Sequence, residues 1–286
     1  MEPVKRTINT RDGVKLYTET IEHGSKYWII ATHGIGEHLS RHSYLNGLCG
    51  HDVNIFQYDL RGHGRSSGEK AYISDFSKYL EDLEDCIKYL KEKYGMEKFI
   101  LFGHSMGALI TCAFAQKYFS EELKAEAIIV NAPPVGIPGG LGKIVDMVPG
   151  SIFQKLSTFK PSIPLGGMVD LKYLSHNPKV IEDYVEDSLN HMKLHTKLLI
   201  ELVKTSKTVF SRKLNTGVPS FCSYGTEDGI VDIDSLEFYF NRVEKNFSMK
   251  PIEGAYHEIH NELDKYRKPY LDYLKETILS VVYPAE

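Results

Sequence analysis

A mostly parallel β-sheet with helices on both faces, an α/β fold, is what the amino-acid sequence predicts, and three observations carry the prediction. Short apolar runs rich in β-branched and aromatic residues recur along the chain. They are nearly continuous in hydrophobicity, as strands covered on both faces require. Between them lie stretches whose apolar residues repeat every three or four positions. One junction, Gly103-His104-Ser105-Met106-Gly107, sets a serine between two glycines where a strand run gives way to a helical pattern. Alternation of this kind implies parallel strands joined by crossover helices.

In chain order, residues 14–21 (VKLYTETI) alternate like a half-exposed strand after the turn signal Arg11-Asp12-Gly13. The first one or two strands are expected to add an antiparallel edge. Residues 27–32, 53–58, 98–102 and 127–130 read as buried strands. A helix is expected over 75–94, where Phe76, Tyr79, Leu80, Leu83, Ile87 and Leu90 form one apolar face. A buried helix is expected over 106–118. Residues 134–210 break the rhythm. Their first part, 134–167, is rich in Pro and Gly with apolar clusters, and 178–206 reads as one or two helices after Pro178. This segment reads as an insertion, leaving residues 1–133 and 211–286 as the core. Strands over 218–224 and 247–252 and helices over 235–245 and 262–280 complete the pattern.

Composition sets limits. The chain has 286 residues, 42% hydrophobic and 25% charged, ordinary globular values that exclude extended disorder and coiled coils. A chain this long buries enough surface to need no disulfide or metal staple. Its net charge of −4 offers no basic excess for phosphates, so no nucleic-acid partner is expected. Cys49, Cys86, Cys112 and Cys222 form no CxxC pair and read as small core residues, which suits a reducing compartment. The N-terminal residues lack an apolar signal core, and no uncharged run is long enough to span a bilayer. A cytoplasmic location is expected.

The chemistry centres on Ser105. The flanking glycines permit a tight strand-to-helix turn that lifts the hydroxyl clear of the backbone, and the helix N-terminus beyond it offers N–H groups. A serine hydroxyl needs a base, and the base needs an orienting acid. In this architecture the chain order is Ser, acid, His, each after a later strand. Asp228 and His257 follow the strand runs 218–224 and 247–252. Glu227, Asp232 and Asp234 are rivals for the acid, and Asp228 is preferred because it lies in the strand-end turn. An oxyanion needs N–H donors. Met106, next after the nucleophile, is expected to give one. Ile35, in the glycine-rich loop His33-Gly34-Ile35-Gly36-Glu37-His38, is expected to give the other.

With these residues on the page, the sequence resembles the monoacylglycerol lipase and lysophospholipase group of α/β-hydrolases. The matching stretches are HGIGEHLSRH (33–42), DLRGHGRSSG (59–68), GHSMGA (103–108), YGTEDGIVD (224–232) and EGAYHEIHNEL (253–263). LSHNPKVIEDY (174–184) resembles the family's cap. The resemblance implies an α/β-hydrolase fold with a helical cap over 134–210. It implies Ser105, Asp228 and His257 as the triad, Ile35 and Met106 as the oxyanion hole, and no metal or organic cofactor. The family's polar pocket for a glycerol end falls on Glu37, Arg41 and His260. The chain departs from the family at Ile35, where Ala or a polar residue is common, and at Ala108, where Gly is frequent.

The implied activity is ester hydrolysis of monoacylglycerols. Lysophospholipase or broad carboxylesterase activity is the near alternative. A more distant one is an aminopeptidase, with Asp170, Glu182 or Asp183 holding the free amine. A non-catalytic receptor would not need the intact triad. An Asp-nucleophile dehalogenase or epoxide hydrolase is excluded by serine at the elbow. Within 139–156 the apolar residues read either as ordinary cap packing or as a lip that lies on a bilayer. On the second reading Ile144, Val148 and Phe153 are partly exposed around a tunnel leading to Ser105, and the protein touches membranes peripherally.

Overall fold

The computed structural model describes residues 2–120, 122–139, 147–158 and 162–284. Its centre is an eight-stranded sheet in the order β1-β2-β4-β3-β5-β6-β9-β10. The strands are β1 (Val4–Asn9), β2 (Lys15–Ile21), β3 (Tyr27–Thr32), β4 (Asn54–Tyr58), β5 (Lys98–His104), β6 (Ala127–Asn131), β9 (Ser220–Gly225) and β10 (Phe247–Ile252). β1 pairs antiparallel with β2, and β2 antiparallel with β4; every later pairing is parallel. This is the mostly parallel α/β-hydrolase sheet that the sequence predicts, with an antiparallel edge. β1 itself was not anticipated, because four consecutive residues of its six are exposed and give no apolar run.

Alternate residues of each central strand enter different cores. Trp28, Ile30, Phe99, Leu101, Ile128 and Val130 pack under α1 (Ser77–Tyr94) and α2 (Met106–Tyr118). Ile29, Ala31, Ile100, Phe102 and Ile129 face Leu45, Cys49 and α7 (Asp264–Val282). Burial on both faces explains why these strands lack polar alternation. α1 stops at Gly95, whose φ of 63° lets its N–H return to the Lys91 carbonyl. All four cysteines are buried and unbridged.

After β6 the chain leaves the sheet and returns at β9. The described part of that excursion holds α3 (Gly150–Leu156), the antiparallel pair β7 (Pro164–Gly166) and β8 (Lys193–His195), α4 (Pro178–Glu186) and α5 (Thr196–Val209). α6 (Ile233–Phe238) follows β9, starts two residues earlier than expected and runs on into a π-type turn, Tyr239–Glu244. Asp232 caps it by accepting the Ser235 N–H at 2.7 Å.

Several side chains pin the excursion to the core. The Tyr184 hydroxyl and the His191 N–H both donate to the Gly36 carbonyl, at 2.9 and 2.8 Å. His38 meets Asp187 at 2.8 Å, and His176 meets Glu262 at 2.7 Å.

Candidate active site

Ser105 sits between β5 and α2 with φ 52° and ψ −119°, a backbone state that costs a non-glycine residue free energy. The turn closes only because its flanks lack Cβ atoms. A Cβ on Gly107 would stand 2.1 Å from the Thr32 carbonyl oxygen, and one on Gly103 would stand 2.4 Å from that of Gly107. The Ser105 N–H is tied to the Asn131 carbonyl at 2.9 Å, which holds the elbow against β6.

His257 Nε2 lies 3.0 Å from Ser105 Oγ, and His257 Nδ1 lies 2.6 Å from Asp228 Oδ2. Because a carboxylate only accepts, Nδ1 carries the proton and Nε2 is left to accept from the serine hydroxyl. The other Asp228 oxygen accepts the N–H groups of Ile230 and Val231 at 2.7 and 3.1 Å, which fixes the carboxylate plane. All three residues are buried. Burial lowers the His257 pKa, but the charge and hydrogen bond of Asp228 outweigh it, and the net shift is upward from 6.5. The rivals for the acid lie elsewhere. Glu227 and Asp234 are exposed, and Asp232 is occupied as the cap of α6.

Ile35 and Met106 flank Ser105. Met106 is the first residue of α2, so its N–H is among those without a partner inside the helix. The loop that presents Ile35 is held from beneath. His33 Nε2 accepts the Leu60 N–H at 2.9 Å, so its Nδ1 donates to the Gly34 carbonyl at 2.8 Å. Burial brings the His33 pKa down to about 4 and keeps that ring neutral. Asp59 ties the DLRGHG stretch to the same loop by accepting the N–H groups of Leu39 and Arg65, each at 2.8 Å.

The residues expected around a polar end group divide. Glu37 is on the wall of a small cavity, ≈ 20 Å³, with Ser105, His257, His104 and Glu258. Its carboxylate accepts the Gly34 N–H at 2.5 Å and faces His42 Nε2 at 3.0 Å. Burial alone would raise its pKa, but His42 and its neighbours pull it well below 4.5. Arg41 and His260 do not line this cavity. Arg41 lies behind it, paired with Glu258 and, at 3.3 Å, with Glu37, its guanidinium 4.8 Å over the Tyr184 ring. His260 is buried deeper, with ring centres 5.0 Å from Tyr44 and 4.7 Å from His42. The family resemblance placed these two beside Glu37 at the polar end group. Packing between the loop and the sheet makes them a supporting layer.

An apolar cavity of ≈ 310 Å³ opens from Ser105 and is lined by Phe153, Val169, Leu194, Leu199, Leu202 and Val231 among others. Phe153, expected to be partly exposed, is buried and faces this cavity, because α3 turns it inward toward α5. Val148 is half-buried and not on the wall, and Ile144 lies outside the described residues. The exposed apolar residues nearby are instead Met147, Ile152 and Leu156, at 76, 44 and 40%. Glu258, Tyr184 and Val169 complete the site and were not anticipated. Nothing local marks them: Tyr184 bonds Gly36 across 148 residues, and Glu258 pairs with Arg41 across 217.

The sequence profile of the serine aminopeptidase S33 family matches residues 24–264. The chain belongs to the serine aminopeptidase S33 family. The chain is 28% identical over 272 residues to the monoglyceride lipase homolog of Monkeypox virus, covering 90% of this chain and 94% of that one. It is 26% identical over 257 residues to the monoacylglycerol lipase of Mycolicibacterium smegmatis, covering 88% of each. The crystal structure of the Paleococcus ferrophilus monoacylglycerol lipase superposes with a TM-score of 0.77 at 24% identity, over 98% of this chain and all of that one. The chain is thus a monoglyceride-lipase-like α/β-hydrolase, a serine ester hydrolase within the S33 family.

Proposed function

We propose that the protein hydrolyses monoacylglycerols to fatty acid and glycerol through Ser105, His257 and Asp228. The observation that carries the reading is the hydrogen-bonded line from Asp228 through His257 to Ser105 at the floor of an apolar cavity. An acyl chain lies in that cavity, and a glycerol hydroxyl points to Glu37 and Glu258 at the small polar one.

His257 Nε2 takes the Ser105 proton as Oγ attacks the ester carbonyl. The negative oxygen that forms is met by the N–H groups of Ile35 and Met106, a type of contact worth about 10²–10³ in turnover per donor. The His257 imidazolium then protonates the departing glycerol oxygen. Water enters, His257 takes its proton, and the resulting hydroxide attacks the acyl-enzyme. The second tetrahedral intermediate collapses to fatty acid as the C–Oγ bond breaks and the His257 imidazolium returns its proton to Ser105 Oγ. Asp228 holds the imidazole in one tautomer throughout and stays ionised.

Amide cleavage at a free N-terminus fits less well, although the family is named for aminopeptidases. Asp170, Glu182 and Asp183 are exposed beside Lys172 and Lys179 and line none of the cavities around Ser105. The two carboxylates that do face the site share Arg41.

Residues 134–210 serve as the cap, and the exposed side chains of Met147, Ile152 and Leu156 form a lip through which the protein contacts a bilayer peripherally. Among the described residues, no helix is long and apolar enough to cross one.

A hydrolysis panel tests the activity: monoacylglycerols, lysophosphatidylcholine, p-nitrophenyl esters and proline amides. Monoacylglycerols should give the highest kcat/KM. Cleavage of the amides without the esters would sink the proposal.

A further inference from the structure

Three cavities meet beside the nucleophile. Ser105 borders the apolar cavity of ≈ 310 Å³ and the polar one of ≈ 20 Å³. A third, of ≈ 160 Å³, lies between the Ile35–Gly36 turn and residues Gly167, Leu171, Tyr184 and Met192, and Ser105 does not border it. Among the described residues, two side chains line all three: Ile35 and Val169. The far wall of the third cavity is preformed, because Tyr184 and the His191 backbone are both bonded to the Gly36 carbonyl. At a liquid-water share of about 30 Å³ per molecule, the space takes about five water-sized groups, enough for a short alkyl arm.

The chemistry asks only for the backbone N–H of Ile35, so its side chain is free to serve another purpose. Ile and Val are branched at Cβ and stiff at χ1, which makes them walls rather than flaps. We infer that Ile35, backed by Val169, is the partition that sets how many substituents the leaving alcohol may carry. It closes a ready-made apolar chamber to the reacting carbonyl and so restricts the enzyme to esters whose alcohol bears no second apolar arm. Diglycerides and alkyl-ether glycerides are the excluded class. The inference rests on the assignment of Ser105 as nucleophile above.

The test uses three esters of one acid: ethyl decanoate, 1-monodecanoylglycerol and 1-O-butyl-3-decanoylglycerol, whose butyl ether cannot be cleaved. The readout is kcat/KM for the butyl ether compound relative to ethyl decanoate. Wild type should favour ethyl decanoate. Ile35→Ala should raise the ratio about tenfold or more, the scale of methylene-sized changes in apolar pockets. Val169→Ala should move it in the same direction. Leu171→Trp, which fills the third cavity from a position off the other two, should cancel the gain when added to Ile35→Ala. Labelling of Ser105 by a fluorophosphonate shows that each variant is folded. A ratio unchanged in both alanine variants, or a gain that survives Leu171→Trp, overturns the inference. Failure of the glycerol reading is seen separately: monodecanoylglycerol would then be cleaved no faster than ethyl decanoate, while the ratio still reports on the partition.

Discussion

At Asp228 and Asp232, two carboxylates four residues apart do different work, and substitution separates them. Asp228→Asn removes the acceptor that orients His257, at a cost on the order of 10⁴ in turnover in triads of this kind. Asp232→Asn leaves a good helix cap and should cost little. Equal losses in steady-state assays would move the acid away from Asp228. The same pair bears on pH. On the proposed mechanism His257 must be neutral to act as base, and its pKa is raised from 6.5, so activity should fall on the acid side through a midpoint above that value. Asp228→Asn should shift that limb downward along with the rate. The linkage to stability runs the other way. A raised imidazole pKa favours the protonated fold, a contribution full below 6.5 and lost as pH rises through the folded value. This constellation was legible in the sequence because each member sits at a strand end with its own turn signal. Arg41 and His260 came from the family resemblance, and a motif match does not say which layer of a packed loop a side chain occupies; here both lie behind the small cavity rather than on its wall.

Among the elements, α3 carries the clearest correction. Its apolar residues read alike in sequence, yet the helix buries Phe153 toward the apolar cavity beside Ser105 and leaves Ile152 and Leu156 outside. Membrane contact should therefore depend on the outward pair, since interfacial binding scales with the apolar area offered. Ile152→Ser with Leu156→Ser should weaken vesicle sedimentation and slow long-chain monoacylglycerol hydrolysis while sparing a short soluble ester. Undiminished vesicle binding would remove the lip from the account. Phe153→Ala should leave vesicle binding intact and impair long-chain turnover. The central strands were legible because both faces are buried. The Tyr184 and His191 contacts to Gly36 were not, because pairing across about 150 residues leaves no local pattern.

Taken whole, the molecule encloses at least four neutral imidazoles. Burial depresses the pKa values of His33, His63, His104 and His260, all enclosed. A base depressed in the fold binds protons better when unfolded. Its stabilising contribution is therefore present above 6.5 and lost as pH falls. Each such group steepens the loss by up to about 1.4 kcal/mol per pH unit. Asp59 and Asp82, raised by burial, the latter to about 6, oppose this, as does His257, but these three do not offset four imidazoles. Urea midpoints should fall steadily between pH 7 and pH 5. A flat profile would mean these rings gain protons in the fold. The net charge of the sequence gives no hint of this behaviour, which arises from where the histidines are enclosed.

On the proposed mechanism, the left-handed backbone at Ser105 sets catalysis against durability. Nothing but the hydroxyl asks for a side chain there, and the surrounding contacts bear a conformational penalty of about 1–3 kcal/mol to keep it. Ser105→Gly should therefore give a protein that is inert and yet melts at a higher temperature than wild type. Serine at this position is then a signature of continuing selection for turnover. A lineage released from that selection has a downhill route to glycine, and would gain robustness by forgetting its chemistry.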